Sequence, residues 1–128
     1  MSHIRSKNTK PELYLRSALH RLGFRFRLHS TSLPGKPDIV LKKYQTAVFI
    51  NGCFWHGHKN CKRAALPEAN HEFWLEKIEK NRSRDRQTYR KLQRLHWHVI
   101  VVWQCRLMKN KNIIDKLADR IKGNYHSN

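Results

Sequence analysis

Apolar positions recur along the chain in two rhythms, and the rhythms mark out its elements. Leu15, Ala18, Leu19 and Leu22 fall at helical spacing. Thr9 precedes them as an N-cap, Pro11 suits the first turn, Glu12 stands at the capping-box position and Gly23 marks the stop. Phe24-Arg-Phe-Arg-Leu28 then alternates apolar and basic, which predicts a strand with one wet face. After a constrained loop over Ser32–Pro37, Asp38–Leu41 and Thr46–Asn51 read as strands joined by a short turn near Tyr44 and Gln45. Loops continue to about Asn70. A long helix is expected over about His71 to Leu95, because Trp74, Ile78, Asp85, Tyr89 and Leu92 share one stripe. His98–Trp103 is an apolar run, which predicts a central strand. Ile113, Ile114 and Leu117 belong to a last helix over about Asn112 to Ile121. The order helix, three strands, helix, strand, helix is α/β, in one domain over residues 1–128. Residues 1–8 read as a mobile basic arm and about 123–128 as a polar tail.

Charge changes the picture first. Lys and Arg number 27 against 9 Asp and Glu, a formal net charge of +18. Such a density repels itself, and a polyanion relieves the repulsion. Nucleic acid is therefore the expected partner. No basic amphipathic helix leaves an open apolar face for a membrane surface. Met1-Ser-His-Ile-Arg is not a secretory start and no apolar run is long enough to span a bilayer, so the cytoplasm is the expected compartment.

The stretch Cys53-Phe-Trp-His-Gly-His-Lys-Asn-Cys61 changes it again. Thiols, imidazoles and large aromatics leave the Thr46–Asn51 strand at one place, a mixture that folding alone does not require. The three cysteines, Cys53, Cys61 and Cys105, are an odd number, which argues against a disulfide framework. Three thiols and one imidazole make a full tetrahedral zinc set, and Cys105 follows the 98–103 strand as Cys53 follows the 46–51 strand. His58 is preferred to His56 for its spacing to Cys61. The blander alternative is three reduced, half-buried thiols. With no ligand position open, such a zinc is structural.

Asp38 heads an apolar strand, where a carboxylate is costly unless solvated, paired or metal-bound. It is a candidate Mg²⁺ ligand beside a phosphodiester, or simply a residue marking the strand boundary. His56 is then a candidate general base, or a spare loop imidazole. Asp85 sits on the apolar stripe of the long helix and is expected to orient His56, unless it only pairs with Arg84 and Arg86. Phe54 and Trp55, on a basic loop, suit wedging between base pairs, whereas Trp74 alone would be read as core.

Leu33-Pro-Gly-Lys-Pro-Asp-Ile-Val, Asn51-Gly-Cys-Phe-Trp-His-Gly-His, Phe73-Trp-Leu-Glu-Lys-Ile, Asn81-Arg-Ser-Arg-Asp-Arg and Val102-Trp-Gln-Cys105 occur in order. In these motifs, and in the opening Arg5-Ser-Lys-Asn-Thr-Lys-Pro-Glu, the chain resembles the very-short-patch-repair (Vsr) DNA mismatch endonucleases from about Ile4 to Leu107. The resemblance implies a restriction-endonuclease-like mixed central sheet flanked by helices, carrying a structural zinc site. It implies a Mg²⁺-dependent nick 5′ to the T of a T:G mismatch left by deamination of 5-methylcytosine. Position by position, it implies Asp38 and the backbone carbonyl of Ile50 as metal ligands, His56 as catalytic histidine and Asp85 as its supporting acid. It implies Glu12 as an acid holding water beside the metal, which competes with its capping-box reading. Cys53, His58, Cys61 and Cys105 match the zinc ligands, and Phe54, Trp55 and Trp74 the intercalating aromatics. It also implies a bacterial enzyme working on double-stranded DNA at the nucleoid as a monomer, with mismatch-repair proteins as further partners.

The chain departs from that pattern at Asn51, a catalytic position where the family commonly has a second His, and in the two residues between His58 and Cys61. The acid-x-Lys half of the restriction-enzyme motif is missing after Pro37-Asp38, a family trait that suits a histidine as base. Two alternatives to mismatch nicking follow: a zinc-stabilised mismatch- or DNA-binding protein whose cleavage is weak or lost through Asn51, and a related nuclease of broader specificity.

Overall fold

The computed structural model describes residues 9–109 and 112–125, so the arm expected at 1–8 and the last residues of the expected tail lie outside the described residues. Helix α1 (Lys10–Arg21) is followed by β1 (Arg27–Leu28), β2 (Ile39–Leu41), β3 (Thr46–Asn51), α2 (His71–Arg94), β4 (His98–Trp103), α3 (Gln104–Lys109) and α4 (Ile113–Gly123). The strands form one mixed sheet in the order β1-β2-β3-β4. β1, β2 and β3 are antiparallel neighbours, while β3 and β4 run parallel in register from Thr46↔His98 to Asn51↔Trp103. A parallel pair needs a long crossover, and α2 supplies it.

Side-chain alternation on β3 and β4 divides the molecule. Val48, Ile100 and Val102 face the main core with Ile39, Leu41 and the buried stripes of α1 (Leu15, Ala18, Leu19) and α4 (Ile114, Leu117, Ala118, Ile121). On the opposite face Ala47 and Phe49 meet Leu92 of α2, with Tyr89, Trp97 and Val99 packed around them. Of the 24 residues of α2, only Ile78 and Leu92 are buried, so most of this helix has work other than filling a core.

Two expectations about strands are corrected. β4 is not central: it closes the sheet beside β3. Its apolar run reflects two covered faces, Ile100 and Val102 on one and Val99 on the other, and not two hydrogen-bonded neighbours. The strand expected over 24–28 pairs only at Arg27 and Leu28. The register would set Phe24 against the 3-10 turn at Lys42–Tyr44 that follows β2, and Phe26 against Leu41, the last residue of β2; both rings instead pack into the main core. The first residues of the expected tail are anchored: Asn124 Nδ2 donates to Thr46 Oγ1 at 3.1 Å, and Tyr125 lies edge-on to Tyr44.

At the start of α1, Thr9 Oγ1 accepts from the Glu12 N–H at 3.5 Å, a long cap bond. The Glu12 carboxylate points inward to His29 and is buried, so the side chain does not serve the cap. The short helix α3 was not expected. It lacks a sequence cap and buries only Leu107, too little pattern to read.

Candidate active site and metal centre

The chain leaves β3 at Asn51 and winds at once into nested turns. The His56 N–H donates to the Gly52 carbonyl at 3.2 Å, Gly57 to Phe54 at 3.3 Å and His58 to Cys53 at 3.0 Å. Gly57 has φ +59°, and a Cβ there would stand 2.7 Å from Ile78 Cγ2 and 2.8 Å from Arg82 Cδ. Only glycine allows the loop to lie this close on α2. Asn81 of α2 fastens it further, its Nδ2 donating to the Trp55 carbonyl at 3.0 Å.

This winding gathers the soft ligands. Cys53, His58, Cys61 and Cys105 each place a ligand atom within 4.8 Å of the others. Tetrahedral zinc with thiolates at about 2.3 Å needs ligand atoms about 3.8 Å apart, so the donor set and its spacing fit that ion. Cys105 Sγ lies 3.5 Å from His58 Nδ1, and the His58 ring stacks on Trp103 with centroids 4.1 Å apart. Burial pushes the Cys53 thiol up to about 11, against the Cys105 backbone N–H, which lowers it. Burial also acts to raise Cys61, yet the Arg63 backbone N–H and the neighbouring thiols bring it below the ordinary value. His58 is held below its ordinary value by burial and then by the Arg106 charge, which favours the neutral, ligating imidazole.

A second group lies on the other side of the same strand end. Asp38 Oδ2 accepts the Ile50 N–H at 2.7 Å. Burial raises the Asp38 carboxyl to about 6, opposed by that bond and reinforced by the nearby Glu12 charge. Glu12 Oε2 is 2.7 Å from His29 Nε2 and 3.4 Å from an Arg16 guanidinium nitrogen. Glu12, His29 and Asp38 present ligand atoms within 4.8 Å of one another. Sequence reasoning missed His29; its only signal was an imidazole just past an alternating basic strand.

His56 Nδ1 and Asp85 Oδ2 are 2.6 Å apart. The carboxylate fixes the ring and leaves Nε2 for a reacting group. Asn51, buried at the end of β3, donates from Nδ2 to the Tyr89 hydroxyl at 3.0 Å. Burial pushes Tyr89 up to about 12 although the Asn51 bond lowers it, so the phenol is protonated at neutral pH. Tyr89 and Trp103 are contacts that periodicity had assigned only to packing.

Glu12, Asp38, Ile50, Asn51, His56 and Asp85 all border one cleft of about 900 Å³, with Lys36, Arg63 and Arg84 on its walls. Phe54 and Trp55 also line it, and Trp74 joins them through edge-to-face contacts of 5.4 and 5.8 Å. Phe73, 59% exposed, extends this ring cluster at 5.2 Å from Trp74. Adjacent aromatics opening a polar helix were the overlooked signal. The cleft thus joins an oriented imidazole, buried and half-buried acids, cations and half-buried rings, a combination suited to hydrolysing a phosphodiester.

Comparison with known proteins agrees with that chemistry. The family model described as DNA mismatch endonuclease Vsr matches residues 1–63. The chain is 49% identical over 121 residues to the type II nicking enzyme V.NmeAIP of Neisseria meningitidis, covering 94% of this chain and 85% of that protein. It is 50% identical over 107 residues to the type II nicking enzyme V.XorIIP of Xanthomonas oryzae, covering 84% and 78%. It is 42% identical over 123 residues to the DNA mismatch endonuclease Vsr of Escherichia coli, covering 95% and 78%. With the cleft and its ligand clusters in place, these relatives show that the chain belongs to the Vsr family of DNA mismatch endonucleases.

Proposed function

We propose that this protein is a Mg²⁺-dependent endonuclease that nicks one strand of double-stranded DNA 5′ to the T of a T:G mismatch, opening very short patch repair. The observation that carries the reading is the one cleft holding the His56–Asp85 pair and the half-buried Asp38, in a chain of this family. In this reading His56 Nε2 takes a proton from the attacking water while Asp85 holds Nδ1 and stabilises the imidazolium. Asp38 and the Ile50 carbonyl hold Mg²⁺, which when bound neutralises charge developing on the phosphate. Glu12 accepts hydrogen bonds from water beside it. Cys53, His58, Cys61 and Cys105 hold a structural zinc that ties the catalytic loop to α3. Phe54, Trp55 and Trp74 enter the base stack where a mispaired step opens most cheaply. Lys36, Arg63 and Arg84 steer the phosphate backbone.

The sheet is read as restriction-endonuclease-like, in one domain that works as a monomer in the bacterial cytoplasm and hands the nick to mismatch-repair proteins. No helix among the described residues is long and apolar enough to cross a membrane. A binding-only reading is favoured by one observation, the engagement of Asn51 with Tyr89 instead of a family histidine. Nicking of T:G, otherwise mismatched and matched duplexes, with and without Mg²⁺, separates the possibilities. A T:G-dependent, Mg²⁺-dependent nick is expected; tight binding without a nick, or equal cleavage of matched DNA, overturns the proposal.

A further inference from the structure

We infer that His29 is a ligand to the cleft's catalytic cation and that Glu12 binds this ion directly instead of through water, giving Glu12, His29 and Asp38 a nitrogen-containing site that takes Mn²⁺ or a like transition ion more tightly than Mg²⁺. The inference rests on the endonuclease reading and deepens it, since it concerns the ion that this cleft holds. Three separate segments deliver the ligands: α1 brings Glu12, the residue after β1 is His29, and the residue before β2 is Asp38. The β1–β2 ladder pairs Leu28 with Ile39, and the next step sets His29 against Asp38, with the His29 N–H donating to the Asp38 carbonyl at 3.1 Å.

His29 adopts the left-handed region, φ +48°. A non-glycine residue occupies that region at a cost, so surrounding contacts must hold it there. The result directs the imidazole at the buried carboxylate: Nε2 is 2.7 Å from Glu12 Oε2, with side-chain exposures of 20% and 3%. Ligands at right angles on an octahedral ion, each about 2.1 Å from it, stand about 3 Å apart. The observed spacing therefore matches an edge of a coordination shell, with a proton where the cation would enter. Arg16, at 3.4 Å from the same Glu12 oxygen, is the nearby cation competing for it. Oxygen donors suit Mg²⁺, while an imidazole in the set favours transition ions.

The test uses the whole protein bound to a T:G duplex already nicked 5′ to the T, so that no turnover intervenes. Pulsed electron paramagnetic resonance of added Mn²⁺ should show the hyperfine coupling of a directly bound imidazole nitrogen. The coupling should persist in His56→Gln and vanish in His29→Gln. In His29→Gln the Mn²⁺ dissociation constant should rise about tenfold while that for Mg²⁺ changes less than about threefold. Absence of nitrogen coupling in the unaltered protein overturns the inference, and this reading needs no variant to fold. Coupling that survives His29→Gln, or equal weakening of both ions, also overturns it, the latter meaning that His29 only positions Glu12. The underlying reading is judged apart from this: a Mg²⁺-dependent T:G nick with no nitrogen coupling leaves the endonuclease standing and removes His29. No nick with either ion removes the endonuclease.

Discussion

The thiol cluster and the carboxylate cluster stand at the same end of β3, yet the chain assembles them differently. Cys53, His58 and Cys61 come from one loop, and only Cys105 arrives from α3. Glu12, His29 and Asp38 come from three segments brought together by the ladder and by α1. In the first group burial pushes the Cys53 thiol up to about 11. In the second, desolvation raises the half-buried Asp38 to about 6 beside the buried Glu12. On the proposed function the difference separates two uses of a metal: an ion that folds the loop, and an ion that a preformed site receives.

Breaking the thiol cluster should have the largest effect. Cys61→Ser is expected to lower stability by at least about 3 kcal/mol, roughly 10 °C in melting temperature, because zinc binding and loop folding are one process. Zinc measured by elemental analysis should fall from about one equivalent per chain to less than about half. A variant that melts like the parent would show that the loop does not depend on an ion.

The carboxylate cluster should respond the opposite way. Asp38→Asn keeps an acceptor for the Ile50 N–H but loses the charge that, in the proposed reading, holds the cation. Single-turnover nicking should fall at least about 10³-fold, several kcal/mol in the barrier, with DNA binding intact. The metal-free variant should also be more stable than the parent above about pH 6. The sign follows from the raised folded-state value, 3.8 to about 6. The folded state binds the Asp38 proton more tightly than the unfolded chain, so this contribution is fully present below pH 3.8 and is lost as pH rises through about 6. Its full size is at most about 3 kcal/mol. The stability difference between parent and variant, followed by denaturant unfolding, should therefore grow between about pH 4 and 7 and then level. A difference that stays flat over that range would place Asp38 outside any desolvated site.

Between the two clusters lies the ring group, and its effect should be smaller. Phe54→Ala should reduce discrimination of T:G over matched duplex about tenfold, in line with 1–3 kcal/mol for a stacked base. Binding titrations on both duplexes give the ratio. An equal loss on both would assign Phe54 to packing against Trp55 and Trp74.

How legible each cluster was follows from its assembly. The thiol cluster could be read because its residue types are rare, close together and repeated at a second strand end. The pairing of Asp85 with His56 was suggested by a carboxylate on an apolar stripe, where periodicity and chemistry conflict. His29 was not legible: its contact with Glu12 spans two segments and depends on a left-handed backbone that composition does not announce. The same limit governed the fold. Helices α1 and α2 were legible because local spacing decides them, whereas the position of β4 in the sheet depends on which strand it pairs with. An apolar run shows that both faces of a strand are covered, and hydrogen-bonded neighbours leave no mark in it. Phe24 and Phe26 alternate like strand residues and still do not pair: β2 ends before it could meet Phe24, and both rings pack into the main core.

Asn51 offers the sharpest division between the clusters. It follows Ile50, the donor to Asp38, and comes two positions before Cys53. Its amide donates to Tyr89, whose phenol stays protonated because burial pushes it up to about 12. Neither group gives up a proton readily at neutral pH, whereas an imidazole does. If the missing proton donor limits chemistry, Asn51→His should speed the single-turnover nick at least roughly tenfold, the low end of general acid–base help. Zinc content and the dissociation constant for mismatched DNA should barely change, since Asn51 is not among the residues of the thiol cluster. A change in zinc content would place Asn51 with the thiol cluster instead. An unaltered or slower nick would mean that the Asn51–Tyr89 pair is the working arrangement of this site. Tyr89→Phe then distinguishes the two possibilities. It removes the acceptor for the Asn51 amide, so it should slow the nick if that pair is the working arrangement and leave the rate unchanged if it is a substitute that chemistry does not use.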